Sequence, residues 1–104
     1  TAAELKRPRA LLAFARRTAG LPSLRELEVA ARGSETEPRF HYALRLVTAN
    51  RIEEALELLL EILRADRQYG EDAARKTLLD VFDLLGRDDP LTARYRRRLA
   101  SFLY

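Results

Sequence analysis

IEEALELLLEIL, at residues 52–63, is the clearest amphipathic helix in this sequence. Its apolar residues recur at the spacing of one helix face, which predicts an α-helix with a wide buried stripe. The stripe consists of Ile52, Ala55, Leu56, Leu59, Ile62 and Leu63. Two further leucines, Leu58 and Leu60, lie off this stripe, and they predict burial on two sides. We therefore expect this helix to pack between neighbouring helices.

The residues just before this helix predict a helical hairpin. The turn ANRIEEAL, at 49–56, follows a second amphipathic face, and Asn50 is a suitable left-handed helix stop. Ala43 and Ala55 fall at the two small positions where the paired helices of a tetratricopeptide repeat meet. Shifting the pattern by 34 residues in either direction gives poor matches. The pattern favours one tetratricopeptide-type hairpin with degenerate neighbours, and a plain helical hairpin remains the alternative.

Glycine, proline and capping residues divide the rest of the chain into further short helices. We predict helices at 9–19, with Pro8 in the first turn, at 24–32, with Ser23 as N-cap, and at 37–49, preceded by Thr36. After the helix that begins at Ile52, we predict helices at 71–85 and from Pro90 onward, with Asp89 as the last N-cap. The predicted fold class is all-α, with about six short antiparallel helices stacked as tetratricopeptide-like hairpins. Residues 1–104 are predicted to form one such domain.

Composition excludes several classes of function. The 104 residues contain no cysteine and a single histidine, His41, so neither thiol chemistry nor a histidine-pair metal site is expected. No phosphate loop, zincin motif or catalytic triad spacing is present. The acid pairs Glu53/Glu57 and Glu57/Glu61 are expected to be solvated. We therefore predict neither an enzyme nor a cofactor-binding protein.

Charge and hydropathy also bear on partners and location. The net charge of +3 is too small to favour nucleic acid, and no apolar run is long enough to cross a membrane. No secretory leader is visible. We predict a protein that binds neither nucleic acid nor membrane.

The C-terminal stretch YRRRLASFLY, at 95–104, combines arginine with aromatic and aliphatic residues. Four arginines and no acid occur from Arg94 onward, and one stripe continues through Leu91, Tyr95, Leu99 and Phe102. An apolar helix end is buried in its own domain or docks in a groove of a partner. The sequence pattern leaves both possibilities open, on different faces of the helix.

The segments ALELLLEIL, DAARKTLLD and YRRRLASFLY resemble the C-terminal part of the chaperedoxins, the YbbN-like proteins with a thioredoxin-like domain. The resemblance covers residues 24–104 best and implies that this chain is the helical domain that follows such a thioredoxin-like domain. It implies a bacterial, cytoplasmic co-chaperone that holds unfolded client proteins and docks on a GroEL-type chaperonin through its C-terminal helix. The docking residues it implies are Tyr95, Arg97, Arg98, Leu99, Phe102, Leu103 and Tyr104.

A generic tetratricopeptide module that captures acidic C-termini is the alternative function. Such modules place basic side chains on the groove side of successive first helices of the hairpins. In the third predicted helix, only Arg39 and Arg45 are candidates, and the neighbouring hairpins supply no clear set. This pattern weakens the alternative, and the adaptor function that the resemblance implies is the leading prediction.

Overall fold

A computed structural model describes the backbone of residues 2–103 and the side chains of residues 7–102. Within that part of the chain there are six helices and no strand. They are α1 (Ala2–Thr18), α2 (Leu24–Ala30), α3 (Thr36–Thr48), α4 (Ile52–Ala65), α5 (Ala73–Leu85) and α6 (Pro90–Leu103). The predicted all-α architecture of six short helices is confirmed.

The hairpin of α3 and α4 forms the centre of the domain. Ala43 and Ala55 are completely buried, so the two helices approach closely at the positions that the repeat pattern requires. The turn between them is fixed by Asn50, whose φ is 61°. The N–H of Arg51 donates to the carbonyl of Leu46 at 2.9 Å, and the N–H of Asn50 donates to that of Val47 at 3.0 Å. These bonds form a Schellman motif, which satisfies carbonyls that a helix end leaves free.

The other helices pack around this hairpin. Helix α2 packs on α3, α5 packs on α4, and α6 packs on both α4 and α5. Leu60 is therefore buried although it lies off the main stripe of α4, as its position predicted, whereas Leu58 is only half-buried. Full burial of each such leucine contributes about 1.5–3 kcal/mol, and α4 buries Leu56, Leu59, Leu60 and Leu63.

Helix α1 packs on α3 and α5, on elements that are distant in the sequence. Phe14 enters the core, and Arg17 donates to the hydroxyl of Thr77 at 2.7 Å and to the carboxylate of Asp80 at 3.1 Å. Periodicity within α1 shows which face of the helix is apolar but not which other helices pack against that face. This packing adds a long-range contact to the predicted series of hairpins.

Three predicted helix boundaries differ from the structure by two residues or more. Helix α2 ends at Ala30 and not at 32. Helix α1 begins at Ala2, so Pro8 lies inside it and not in its first turn. The preceding residues AAELKR are good helix formers, and they extend the helix across the proline despite its missing N–H. Helix α5 begins at Ala73 and not at 71, because Glu71 and Asp72 adopt left-handed φ values of 57° and 70°.

Candidate protein-binding surface

The first turn of α6 is held by its cap. The backbone N–H of Leu91 donates to the Asp89 carboxylate at 2.9 Å, as the predicted N-cap requires. Pro90 occupies the first helical position, where its missing N–H costs nothing. The hydroxyl of Thr92 donates to the carbonyl of Gly86 at 2.8 Å. The start of α6 is therefore fixed to the end of α5.

The middle of α6 is fastened to α4 through Glu57. The buried Tyr95 hydroxyl donates to the Glu57 carboxylate at 2.7 Å, and Arg98 donates to both oxygens of the same carboxylate. One turn earlier, Arg94 and Glu53 form an ion pair at 3.1 Å. The hydrogen bonds from Arg98 and then Tyr95 lower the pKa of Glu57. Burial, followed by the bond to Glu57, raises the pKa of Tyr95 to about 12.

The prediction that the α4 acid pairs are merely solvated is wrong for Glu57. Its side chain is only 40% exposed, because α6 covers it and supplies two donors. The sequence contains a pattern that could have predicted the contact between Glu57 and α6, namely equal spacing of acidic residues in α4 and basic residues in α6. Glu53 and Glu57 are four residues apart, as are Arg94 and Arg98, so two parallel rows of opposite charge meet.

The structure places the predicted docking residues in two different environments. Tyr95 and Leu99 are buried, and Arg98 is bound to Glu57, so these three anchor α6 to its own domain. Phe102 lies on the same helix face but is 36% exposed. Arg97 is exposed and forms no ion pair within the part of the chain whose side chains are described. Leu103 and Tyr104 were also predicted to dock, and their side chains lie outside the described residues.

An exposed leucine that was not predicted, Leu79, belongs to the same end of the domain. The Arg96 guanidinium lies 5.4 Å from the centre of the Phe82 ring, and Thr92 contacts Gly86, so α5 and α6 run antiparallel. The later residues of α6 therefore run back along α5, on which Leu79 is 38% exposed. Leu79 lies beside the apolar stripe of α5, and this off-stripe position is the only feature of the sequence that indicates its exposure. We call Leu79 and Phe102 the terminal patch.

The comparisons with known proteins identify the architecture. A family model described as tetratricopeptide repeat matches residues 15–104. The chain belongs to the tetratricopeptide repeat family. It is also 34% identical, over 87 residues, to an uncharacterized protein of Haemophilus influenzae. That match covers 83% of this chain and only 40% of the relative's length. No solved structure matches the chain significantly.

Tetratricopeptide domains are typically interaction modules without enzymatic activity, and no catalytic family is indicated by the match. Among the described helices, none is both long and apolar enough to cross a membrane. The described residues also hold no cluster of three or more side chains suited to a metal ion. The tetratricopeptide match itself indicates a protein–protein interaction module.

The two arginines that the peptide-capture alternative requires are engaged within the tetratricopeptide domain. Arg39 forms an ion pair with Glu61 at 3.1 Å. Arg45 donates to the carbonyls of Leu21 and Pro22 at 2.9 and 3.0 Å. Capture of a carboxylate by Arg45 would require these backbone bonds to break. The terminal patch needs no such rearrangement, which favours it as the candidate contact surface.

Proposed function

We propose that this tetratricopeptide domain is a co-chaperone module that docks on a GroEL-type chaperonin through the end of α6. In this proposal it holds unfolding client proteins and acts in the bacterial cytoplasm, as the chaperedoxin resemblance implies. The resemblance also implies a thioredoxin-like domain outside this chain. The proposal has no chemical step, in keeping with a protein-interaction domain.

One observation carries the docking proposal. Tyr95, Leu99 and Phe102 share one face of α6, yet the first two are buried and Phe102 is exposed. The apolar stripe thus continues past the point where the domain covers it. A partially exposed aromatic residue at a helix end is suited to insertion into a groove of a partner.

The anchoring contacts support this role by holding the helix in place. Glu57 receives hydrogen bonds from Tyr95 and Arg98, so α6 is ordered before any partner arrives. A preorganised helix loses less conformational entropy on binding than a flexible tail. Arg97 is exposed and adds positive charge, which accelerates association with a partner of negative potential.

The experiment measures the Kd between the purified 104-residue chain and a purified GroEL-type chaperonin by biolayer interferometry. Phe102→Asp should weaken binding about tenfold or more, because a desolvated aromatic contact is replaced by a charge. The matched control is Leu12→Asp on α1, since Leu12 is also exposed, at 50%. The control should bind like the unaltered chain.

The possible outcomes separate the chaperonin proposal from the generic one. Failure of the unaltered chain to bind chaperonin would overturn the docking proposal, as would equal weakening by both substitutions. Thermal unfolding of both variants shows whether either loses its fold. A separate assay, suppression of aggregation of a heated model protein, tests client holding without chaperonin.

A further inference from the structure

An open groove lies over the end of α5, between α1 and α6. Its volume is about 850 Å³. Helices α1 and α6 both pack on α5, and residues of all three helices line the groove. Phe82 is buried and Leu85 is half-buried, so α5 provides an apolar floor. Leu11 of α1 also lines the groove and is 43% exposed, so its apolar surface is accessible to a partner.

Three arginines from different parts of the fold line this groove. Arg7 lies on α1, Arg87 lies in the turn between α5 and α6, and Arg96 lies on α6. All three residues are exposed. Among the described residues that line the groove, Asp83 is the one acid, so basic residues outnumber acidic residues by three to one. The groove therefore combines an apolar floor with a positively charged rim.

The three rim arginines form no ion pair and no side-chain hydrogen bond within the part of the chain whose side chains are described. This distinguishes them from Arg17, Arg94 and Arg98, each of which pairs with a carboxylate of a neighbouring helix. The Arg96 guanidinium lies 5.4 Å from the centre of the Phe82 ring, a cation–π contact that keeps its charge and holds it beside the floor. An incoming carboxylate would therefore displace no carboxylate already bound to these arginines.

Arginine and apolar surface together indicate the chemistry of the occupant. A guanidinium binds a carboxylate through paired, charge-assisted hydrogen bonds, and the floor would accept an aliphatic or aromatic side chain. Both requirements are met by an acidic peptide segment that contains a large apolar residue. A nucleic acid backbone would gain little from the apolar floor, and the tetratricopeptide match indicates protein partners.

We propose that the groove between α1 and α6 binds an acidic segment of another protein, in which leucine or phenylalanine lies among glutamates or aspartates. The apolar side chain packs on Leu11 and Leu85, and the carboxylates pair with the three rim arginines. The terminal patch does not line this groove, and neither do Arg39 and Arg45. The site is therefore separate from the chaperonin-docking surface and from the arginines of the peptide-capture alternative.

Fluorescence anisotropy with labelled peptides and the intact 104-residue chain tests this proposal. The probe is a short peptide in which leucines are flanked by glutamates, and the comparison probe has every glutamate replaced by lysine. The acidic peptide should bind and the basic one should not. Arg7→Gln combined with Arg87→Gln should weaken binding of the acidic peptide about three- to tenfold, because two exposed ion pairs are lost.

Matched variants control for net charge and for loss of apolar surface. Arg16→Gln combined with Arg64→Gln removes two exposed arginines that do not line the groove and should leave binding unchanged. Leu11→Ala should weaken binding through loss of apolar contact. Leu12→Ala should have no effect, since Leu12 is 50% exposed on the same helix but does not line the groove.

Several results would overturn the proposal. They are failure of the acidic peptide to bind, equal binding of the acidic and basic peptides, and equal effects of the two arginine double variants. Tighter binding of a labelled single-stranded oligonucleotide, lost in the Arg7/Arg87 double variant, would assign the groove to nucleic acid instead. Chaperonin affinity of that variant should equal that of the unaltered chain, so failure here is distinguishable from failure of docking through Phe102.

Discussion

Replacement of Tyr95 by phenylalanine should destabilise the domain without impairing partner binding. The Tyr95 ring is fully buried, and phenylalanine keeps that ring, so no cavity forms. What is lost is one hydrogen bond of 2.7 Å to the Glu57 carboxylate. Hydrogen bonds to charged groups contribute about 1.5–3 kcal/mol. Arg98 and water remain available to the partly exposed carboxylate, so the expected loss lies near the lower bound, at about 1–1.5 kcal/mol.

Thermal unfolding followed by circular dichroism measures this loss. A change of 1 kcal/mol lowers the midpoint by about 4–8 °C in a domain of this size. The control is Tyr69→Phe, because Tyr69 is half-buried and its hydroxyl makes no hydrogen bond within the described residues. Equal midpoints for the two variants would refute the anchoring role of Tyr95. At temperatures below the unfolding midpoint, the Tyr95→Phe variant should bind chaperonin as tightly as the unaltered chain. A large loss of affinity would show that Tyr95 is part of the docking surface.

Three further predictions concern other parts of the molecule. The free energy of unfolding should fall as pH rises from about 10 to about 12. The unfolded chain releases the Tyr95 proton near the ordinary tyrosine pKa, whereas the folded chain retains it to about pH 12. Urea unfolding at several pH values measures this dependence, and Tyr95→Phe should flatten it. Phe14→Ala should cost about 3–5 kcal/mol in urea unfolding, because Phe14 is buried in the core; a loss below about 1 kcal/mol would contradict the packing of α1. Gly86→Ala should lower the free energy of unfolding by about 1–3 kcal/mol through backbone strain alone, because Gly86 has a φ of 93° and an added Cβ would meet no atom within 4 Å. Gly33→Ala should be nearly neutral. Equal losses for the two variants would be inconsistent with backbone strain at Gly86.

Much of the fold could be predicted because its determinants are local. The stripe of α4 follows from helical periodicity, and the left-handed conformation of Asn50 follows from its place at a helix end. Ala43 and Ala55 are buried as the repeat pattern requires. Each of these features depends on residues within a few turns of one another.

The rest depends on contacts between distant residues. Sequence periodicity does not show that α1 reaches α5, because the Arg17–Asp80 contact joins residues 63 positions apart. Sequence periodicity also does not show how far along a helix face the neighbouring helices bury it. The stripe through Tyr95, Leu99 and Phe102 is continuous in the sequence, and only the packing of α6 distinguishes its buried members from its exposed one.

Site-specific crosslinking tests the docking proposal most directly. A photoreactive phenylalanine analogue at position 102, in the intact chain mixed with purified GroEL-type chaperonin, should give a covalent adduct with the chaperonin. The same analogue at position 12, which is also exposed, should give none. A complex that forms but yields no adduct from position 102, or equal adducts from both positions, would contradict docking through the end of α6.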